Sequence, residues 1–193
     1  MQRKQQYIFN ITDDITLTVL DSYYYYNTVS SGENNYSVCT LLTQGDRNFL
    51  FTGDLELKGE KKLVELNDLP KVELFKAGHH GSKTSSNECL LSVIRPKRVC
   101  VCCCAGSSEY TKEEVNKFPT QEFIDRVAPY TKEVYVTTIC VSDDEKTFKS
   151  LNGNIVVTSS VDGVSVNCSN NNILLKDTDW FRDKRTCPEA WIS

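Results

Sequence analysis

The chain has 193 residues, of which 25% are charged and 39% hydrophobic, a balance that excludes a disordered tail and suits one folded domain or a little more. Its 26 acidic and 22 basic side chains give a net charge of −4, so the chain as a whole has no basic footprint for a polyanion. No apolar run reaches the roughly 18–20 residues of a membrane span, and Met1-Gln2-Arg3-Lys4 leads into no apolar signal stretch, so no membrane contact is expected of this chain.

The first 55 residues read as strands. A short one covers residues 7–11, and 15–20 alternates apolar and polar with period two. Four consecutive tyrosines, Tyr23 to Tyr26, lead into a polar loop at 27–35. Strands at 36–43 and 47–52, joined through Gln44-Gly45-Asp46, complete a meander. The pattern then changes to alternating helix and strand. A helix at 58–66 stops before Asn67-Asp68-Leu69-Pro70, and 72–77 is a strand. Ser85-Ser-Asn-Glu88 reads as a capping box opening a helix with Leu90, Leu91 and Ile94 on one face, ended by Pro96. A cysteine-rich strand follows, then a loop with a second capping box, Thr111-Lys-Glu-Glu114, a helix at 120–130 and a strand at 133–140. Strands at 154–159 and 164–168, joined through Asp162-Gly163, form a hairpin. The expected fold is α/β (α+β), a mixed sheet covered by helices on one face, whose other face something else must cover. Residues 1–170 form the expected domain. The tail at 171–193 is expected to pack on it through Trp180, Phe181 and Trp191.

Nine cysteines are an odd number for a disulfide framework. Cys100, Cys102, Cys103 and Cys104 lie in one run, which reads as a buried strand with cysteine acting as a small hydrophobe. A soft-metal or redox cluster is the alternative, although paired Cys-x-x-Cys spacing is absent.

Two motifs carry candidate chemistry, each at the C-terminal end of an expected strand. Phe49-Leu-Phe-Thr-Gly-Asp54 ends in a glycine and a carboxylate, and Leu74-Phe-Lys-Ala-Gly-His79-His80-Gly-Ser-Lys83 ends in a histidine pair between glycines. Ligand sites in α/β sheets form where such ends converge, so Asp54 is placed to meet His79 and His80. Carboxylate plus imidazole suits zinc, manganese or iron. The bland account makes Asp54 a turn or cap residue. Against that, the pair contains the chain's only two histidines. The four tyrosines could stack bases or sugars, or mark a strand-to-loop transition with some rings buried.

At these residues the sequence resembles a known family. Thr52-Gly-Asp54-Leu-Glu56, then Glu73-Leu-Phe-Lys-Ala-Gly-His-His-Gly-Ser-Lys-Thr-Ser-Ser86, resembles the second half of the metallo-β-lactamase fold. Within it, the likeness is to the extracellular hydrolase domain of ComEC-type DNA-internalisation competence proteins and their free-standing relatives. Asn34-Asn35-Tyr-Ser-Val upstream and Asn152-Gly-Asn-Ile155 downstream extend it over most of residues 15–160. The resemblance implies the C-terminal half of an αββα sandwich. It implies a hydrolase in which metal-activated water attacks a phosphodiester or nucleic acid, with zinc, or else manganese, as the metal. Asp54 matches a carboxylate that bridges two ions. Of His79 and His80 one matches a ligand, with His79 favoured as first off the strand, and the other orients it or meets substrate. Ser82 and Lys83 enter the next helix, where an anion is attracted, and Lys83 is a candidate phosphate contact. The setting so implied is extracellular or cell-surface.

The family's His-x-His-x-Asp-His motif cannot be present in a chain with two histidines. The expectation is therefore a fragment that binds zinc weakly and is inactive alone, completed by the other half of the domain or by a homodimer partner. A degenerate binding or assembly module is the second expectation, and a thiol-based metal or redox protein the third.

Overall fold

A computed structural model describes residues 7–28, 32–141 and 147–192. Among them are ten strands and five helices in a mixed α/β arrangement. Eight strands form one sheet in sequential order: β1 (Tyr7–Asn10), β2 (Ile15–Val19), β3 (Thr40–Gln44), β4 (Arg47–Phe51), β5 (Leu74–Lys76), β6 (Arg98–Ala105), β7 (Val134–Cys140) and β8 (Phe148–Ser150). β1 to β4 pair antiparallel as the expected meander. β4 to β7 pair parallel, with α1 (Leu57–Leu66), α2 (Glu88–Ile94) and α3 (Gln121–Val127) as the crossovers. Parallel neighbours need such crossovers, so the switch in sequence period after Leu55 is what turns the sheet from antiparallel to parallel. β9 (Ile155–Ser160) and β10 (Gly163–Cys168) form a separate hairpin.

Strand alternation sorts the side chains to two faces. Leu50, Phe75, Val99 and Val101 are fully buried with Leu63 of α1, Leu90, Leu91 and Ile94 of α2, and Phe123, Ile124 and Val127 of α3. On the other face Phe49, Leu74 and Cys100 pack against Ile155, Val157 and Val164 of the hairpin, which supplies the cover that the sequence left open.

Several expectations shift. The strand read over 36–43 begins only at Thr40, because Glu33–Tyr36 is a 3-10 turn and the Tyr25 hydroxyl bridges the Ser37 carbonyl and the Cys39 amide. The tyrosine run is a 3-10 turn at Tyr23–Tyr25 with half-buried rings, and Tyr26 is exposed. Neither capping box forms. α2 is capped at Asn87 without a side-chain bond, because the Glu60 carboxylate already accepts from the Ser86 and Asn87 amides at 2.6 and 2.9 Å. Thr111 accepts from the Glu113 amide, and only a 3-10 turn, Glu114–Asn116, follows. The cysteine run is buried only as far as Val101. The pairing of β6 with β7 shifts register between Val101 and Cys104, and Cys102 emerges exposed. β8 and the short helices α4 (Asp179–Lys184) and α5 (Glu189–Ile192) had no periodic signal to announce them. Trp180, Phe181 and Trp191, from those helices, are buried in the main core cluster.

Candidate metal centre

β4 and β5 are parallel neighbours, with Phe51 opposite Lys76, so the chain leaves both strands at the same rim of the sheet. Asp54 and the histidine pair therefore arrive side by side. The His79 amide donates to the Gly53 carbonyl at 3.0 Å, and the Asp54 amide donates to the Ser37 hydroxyl at 3.0 Å. Both histidines have left-handed backbone, with φ of +46° at His79 and +55° at His80. Such conformations cost a non-glycine residue on the order of 1–3 kcal/mol each and persist where surrounding bonds over-determine them. The turn is held tightly from outside as well. A Cβ at Gly81, whose φ is +78°, would stand 2.8 Å from Pro119 Cβ, so only glycine fits there.

The two rings are set differently. His80 Nδ1 lies 2.7 Å from the Cys102 carbonyl oxygen. A carbonyl can only accept, so Nδ1 carries a proton, and in the neutral tautomer the lone pair is then on Nε2. That Nε2 stands 3.9 Å from Asp54 Oδ1. His79 Nδ1 instead meets Thr84 Oγ1 at 3.2 Å and Glu56 Oε1 at 3.9 Å. The register shift in β6 is what presents the Cys102 carbonyl, so the cysteine run contributes to the site through its backbone rather than its sulfur.

Zinc donors at about 2.0–2.1 Å in a tetrahedral shell stand roughly 3.3 Å apart. Closure by about half an ångström would let Asp54 and His80 share one ion, and their carboxylate and back-bonded imidazole are the donor types zinc takes. They fit as part of a shell. No group of three or more His, Cys, Asp or Glu side chains able to hold an ion occurs among the described residues.

The remaining sequence candidates are placed as follows. Ser82 is buried, and its hydroxyl is turned into its own loop, accepting from the Thr84 amide and meeting Thr84 Oγ1 at 3.2 Å. Lys83 is exposed and its Nζ donates to Asn116 Oδ1 at 2.6 Å. The amides at the start of α2, where an external anion was expected, are taken by Glu60. Glu60 is fully buried, and burial pushes its carboxyl up to about 7 against the bonds from Asn87 and Ser86 and the charge of Arg126. Arg126 of α3 in turn donates to the Lys83, Ser85 and Ser86 carbonyls, so the loop after the histidines is clamped from two helices.

Phe118 forms a wall of the site that sequence reading missed. Its ring stacks on His80 at 6.2 Å between centroids and 24° between planes, and meets His79 at 5.8 Å. Tyr110 lies beyond it at 5.9 Å. Arg185, beside the distant helix α4, fixes the Phe118 loop from behind. It donates to the Lys117 and Pro119 carbonyls at 2.9 and 3.0 Å, pairs with Glu114 and lies over the Trp180 ring. Nothing local announces such a wall. The signal available was an isolated phenylalanine before a proline.

Residues 28–105 match the family model described as "Metallo-beta-lactamase superfamily". Over that stretch, about two fifths of the chain, the sequence is similar to the metallo-beta-lactamase superfamily. Asp54, His79 and His80 all lie inside it, whereas Phe118 and Arg185 lie outside. The match is narrower than the span of 15–160 that the motifs suggested. Two curated proteins are similar to part of the chain. "Recombination protein 2" of Haemophilus influenzae is 41% identical over 71 residues, which is 37% of this chain and 9% of that protein. "ComE operon protein 3" of Bacillus subtilis is 34% identical over 67 residues, 35% of this chain and 9% of that protein. The similarity thus reaches competence proteins of the ComEC type, and covers about a tenth of their length.

Proposed function

We propose that this chain contributes one part of the active site of a metal-dependent hydrolase, the C-terminal half of an αββα sandwich, acting on a phosphodiester such as nucleic acid. The observation that carries this reading is the His80 arrangement: Nδ1 donates to the Cys102 carbonyl and Nε2 faces Asp54 at 3.9 Å. In this reading Asp54 and His80 hold zinc, and His79, turned to Thr84 and Glu56, braces the loop. A zinc ion, when bound, supplies Lewis acidity and makes water acidic enough to act as a nucleophile near neutral pH. The chain's own part is to keep the His80 Nε2 lone pair free, to wall one side with Phe118, and to offer Lys83 to a phosphate oxygen. Further donors, and the cover of the sheet face left open near β1, come from another polypeptide segment or from a second copy.

Equilibrium dialysis against zinc tests the assignment. Asp54→Ala and His80→Ala should each weaken binding by more than about tenfold, and His79→Ala by less, as for a residue that only supports a ligand. Equal losses at His79 and His80, or none at His80, would overturn it. The shortage of donors favours a second reading, a binding or assembly module that keeps the fold without turnover. Zinc-loaded chain that binds metal yet leaves bis(p-nitrophenyl) phosphate intact would support the module. Hydrolysis lost with Asp54→Ala would support the enzyme.

A further inference from the structure

The Cys104 and Cys140 sulfurs lie 3.6 Å apart on neighbouring parallel strands, and neither forms a disulfide. Both residues line one open groove of about 620 Å³ together with Ser107, Ser108, Thr138 and Phe148, so a small reagent can reach them. The contact exists because of the register shift in β6 just before Cys104. Cys104 and Cys140 also stand at the ends of their strands, next to or at the last paired residue, where the backbone can give. Cys140 lies two residues past Thr138, the register partner of Cys104, so closing the sulfurs to the roughly 2.05 Å of a disulfide draws the two strand ends together diagonally and leaves the sheet interior in place. Such a bridge ties down β6 two residues beyond the carbonyl that holds His80.

We propose that Cys104 and Cys140 are a covalent modification site, a dithiol that closes to a disulfide on meeting a small-molecule disulfide of the glutathione type. The steps balance as thiol–disulfide exchange. The Cys140 thiolate attacks one sulfur of the reagent, forms a mixed disulfide and expels the other half as a thiolate. Cys104 then attacks the Cys140 sulfur, its proton passing to a departing thiolate, and the second half of the reagent leaves. The protein loses two protons and two electrons, and the reagent gains them to become two thiols. Cys104 is given the second, resolving step because Cys140 is the last residue of its strand, and burial and the contact with Cys140 push the Cys104 thiol up.

The test treats the native, reduced chain with oxidised glutathione, blocks remaining thiols with N-ethylmaleimide and maps the peptides. Fragment-ion sequencing separates Cys104 from Cys100, Cys102 and Cys103, which share its tryptic peptide. The expected product links Cys104 to Cys140, is lighter by two hydrogens than the two thiol peptides and is reversed by dithiothreitol. The exposed Cys187 should carry glutathione as a mixed disulfide instead. In Cys104→Ser, glutathione should stay trapped on Cys140, and its absence there would overturn the assigned first step. Recovery of both Cys104 and Cys140 as maleimide adducts, or a bridge from either to another cysteine, would overturn the site. The unsubstituted chain gives the decisive reading, so the outcome does not depend on the variant folding.

Discussion

The two faces of the eight-stranded sheet come from the same strands and are covered very differently. Under α1, α2 and α3 the residues Leu50, Phe75, Val99 and Val101 are fully shielded. On the opposite face, among the described residues, the buried cluster is Phe49, Leu74 and Cys100 beneath one hairpin, while at the β1 end both faces are open, with Tyr7 and Phe9 62% and 55% exposed on this side and Ile8 59% on the other. The candidate centre sits at the rim where the two faces meet. Its rigid half, the loop clamped by Glu60 and Arg126, hangs from the helical face. Its donors are few among the described residues, and the face beneath the hairpin is the more thinly covered one. At the centre of the sheet the firmest packing and the thinnest cover therefore lie on opposite sides.

The largest expected effect lies on the helical face. Phe75→Ala should lower the unfolding free energy by about 3–5 kcal/mol in urea titration, since a wholly buried ring leaves a cavity that three packed helices cannot fill. A loss under about 1 kcal/mol would mean that this face is as loosely covered as the other.

The helical face also hides a titrating carboxyl. Glu60 sits against Arg126 of α3, with Cys89 of α2 and Cys39 nearby, and its pKa is raised to about 7 from 4.5 by burial. Between those values the native chain keeps a proton that the unfolded chain has released. Stability is therefore full below about pH 4.5 and falls as pH rises to about 7, by about 3 kcal/mol in all. Glu60→Gln should remove that slope, because the amide does not titrate. It should also lose about 1–2 kcal/mol at low pH, where one of its oxygens becomes a donor facing donors. Denaturation at several pH values reads both effects, and an unchanged slope in the variant would assign the pH dependence elsewhere.

Much of this architecture was legible in the sequence because it rests on local periodicity. Period-two runs gave the meander, the stop at Asn67 to Pro70 gave the end of α1, and strand ends placed Asp54 beside the histidines. What was not legible depends on distant partners. The capping box at Ser85 fails because a carboxylate from α1 already holds the Ser86 and Asn87 amides. Phe118 becomes a wall only because Arg185, from the far end of the chain, takes the Lys117 and Pro119 carbonyls. His80 is oriented by a backbone carbonyl exposed by a register shift, which no pattern of residue types encodes.

On the hairpin-covered face the same kind of truncation should cost less. Leu74 neighbours Phe75 in β5 and points the other way, against Ile155, Val157 and Val164. Leu74→Ala should lose about 2 kcal/mol, the low end for a buried leucine, because a two-stranded hairpin can settle toward the gap. A cost equal to that of Phe75→Ala would show that the hairpin is as firm a cover as the helices, and the contrast between the faces would disappear.

The smallest effect on stability is expected at the open end, and there association is the more telling measurement. Phe9 lies opposite Leu17, Leu17 opposite Leu42 and Leu42 opposite Phe49, so Phe9 belongs to the same face as the hairpin contact, three strands beyond the buried Phe49. An exposed side chain has little to lose on truncation, so Phe9→Ser should change the unfolding free energy by no more than about 0.5 kcal/mol. If this face takes a second layer, the unaltered chain should self-associate in sedimentation velocity and Phe9→Ser, with Tyr7→Ser, should shift it toward monomer. A large stability loss with no change in association would mean that the chain covers this end itself. The missing donors would then have to reach the rim without another layer packing on this face.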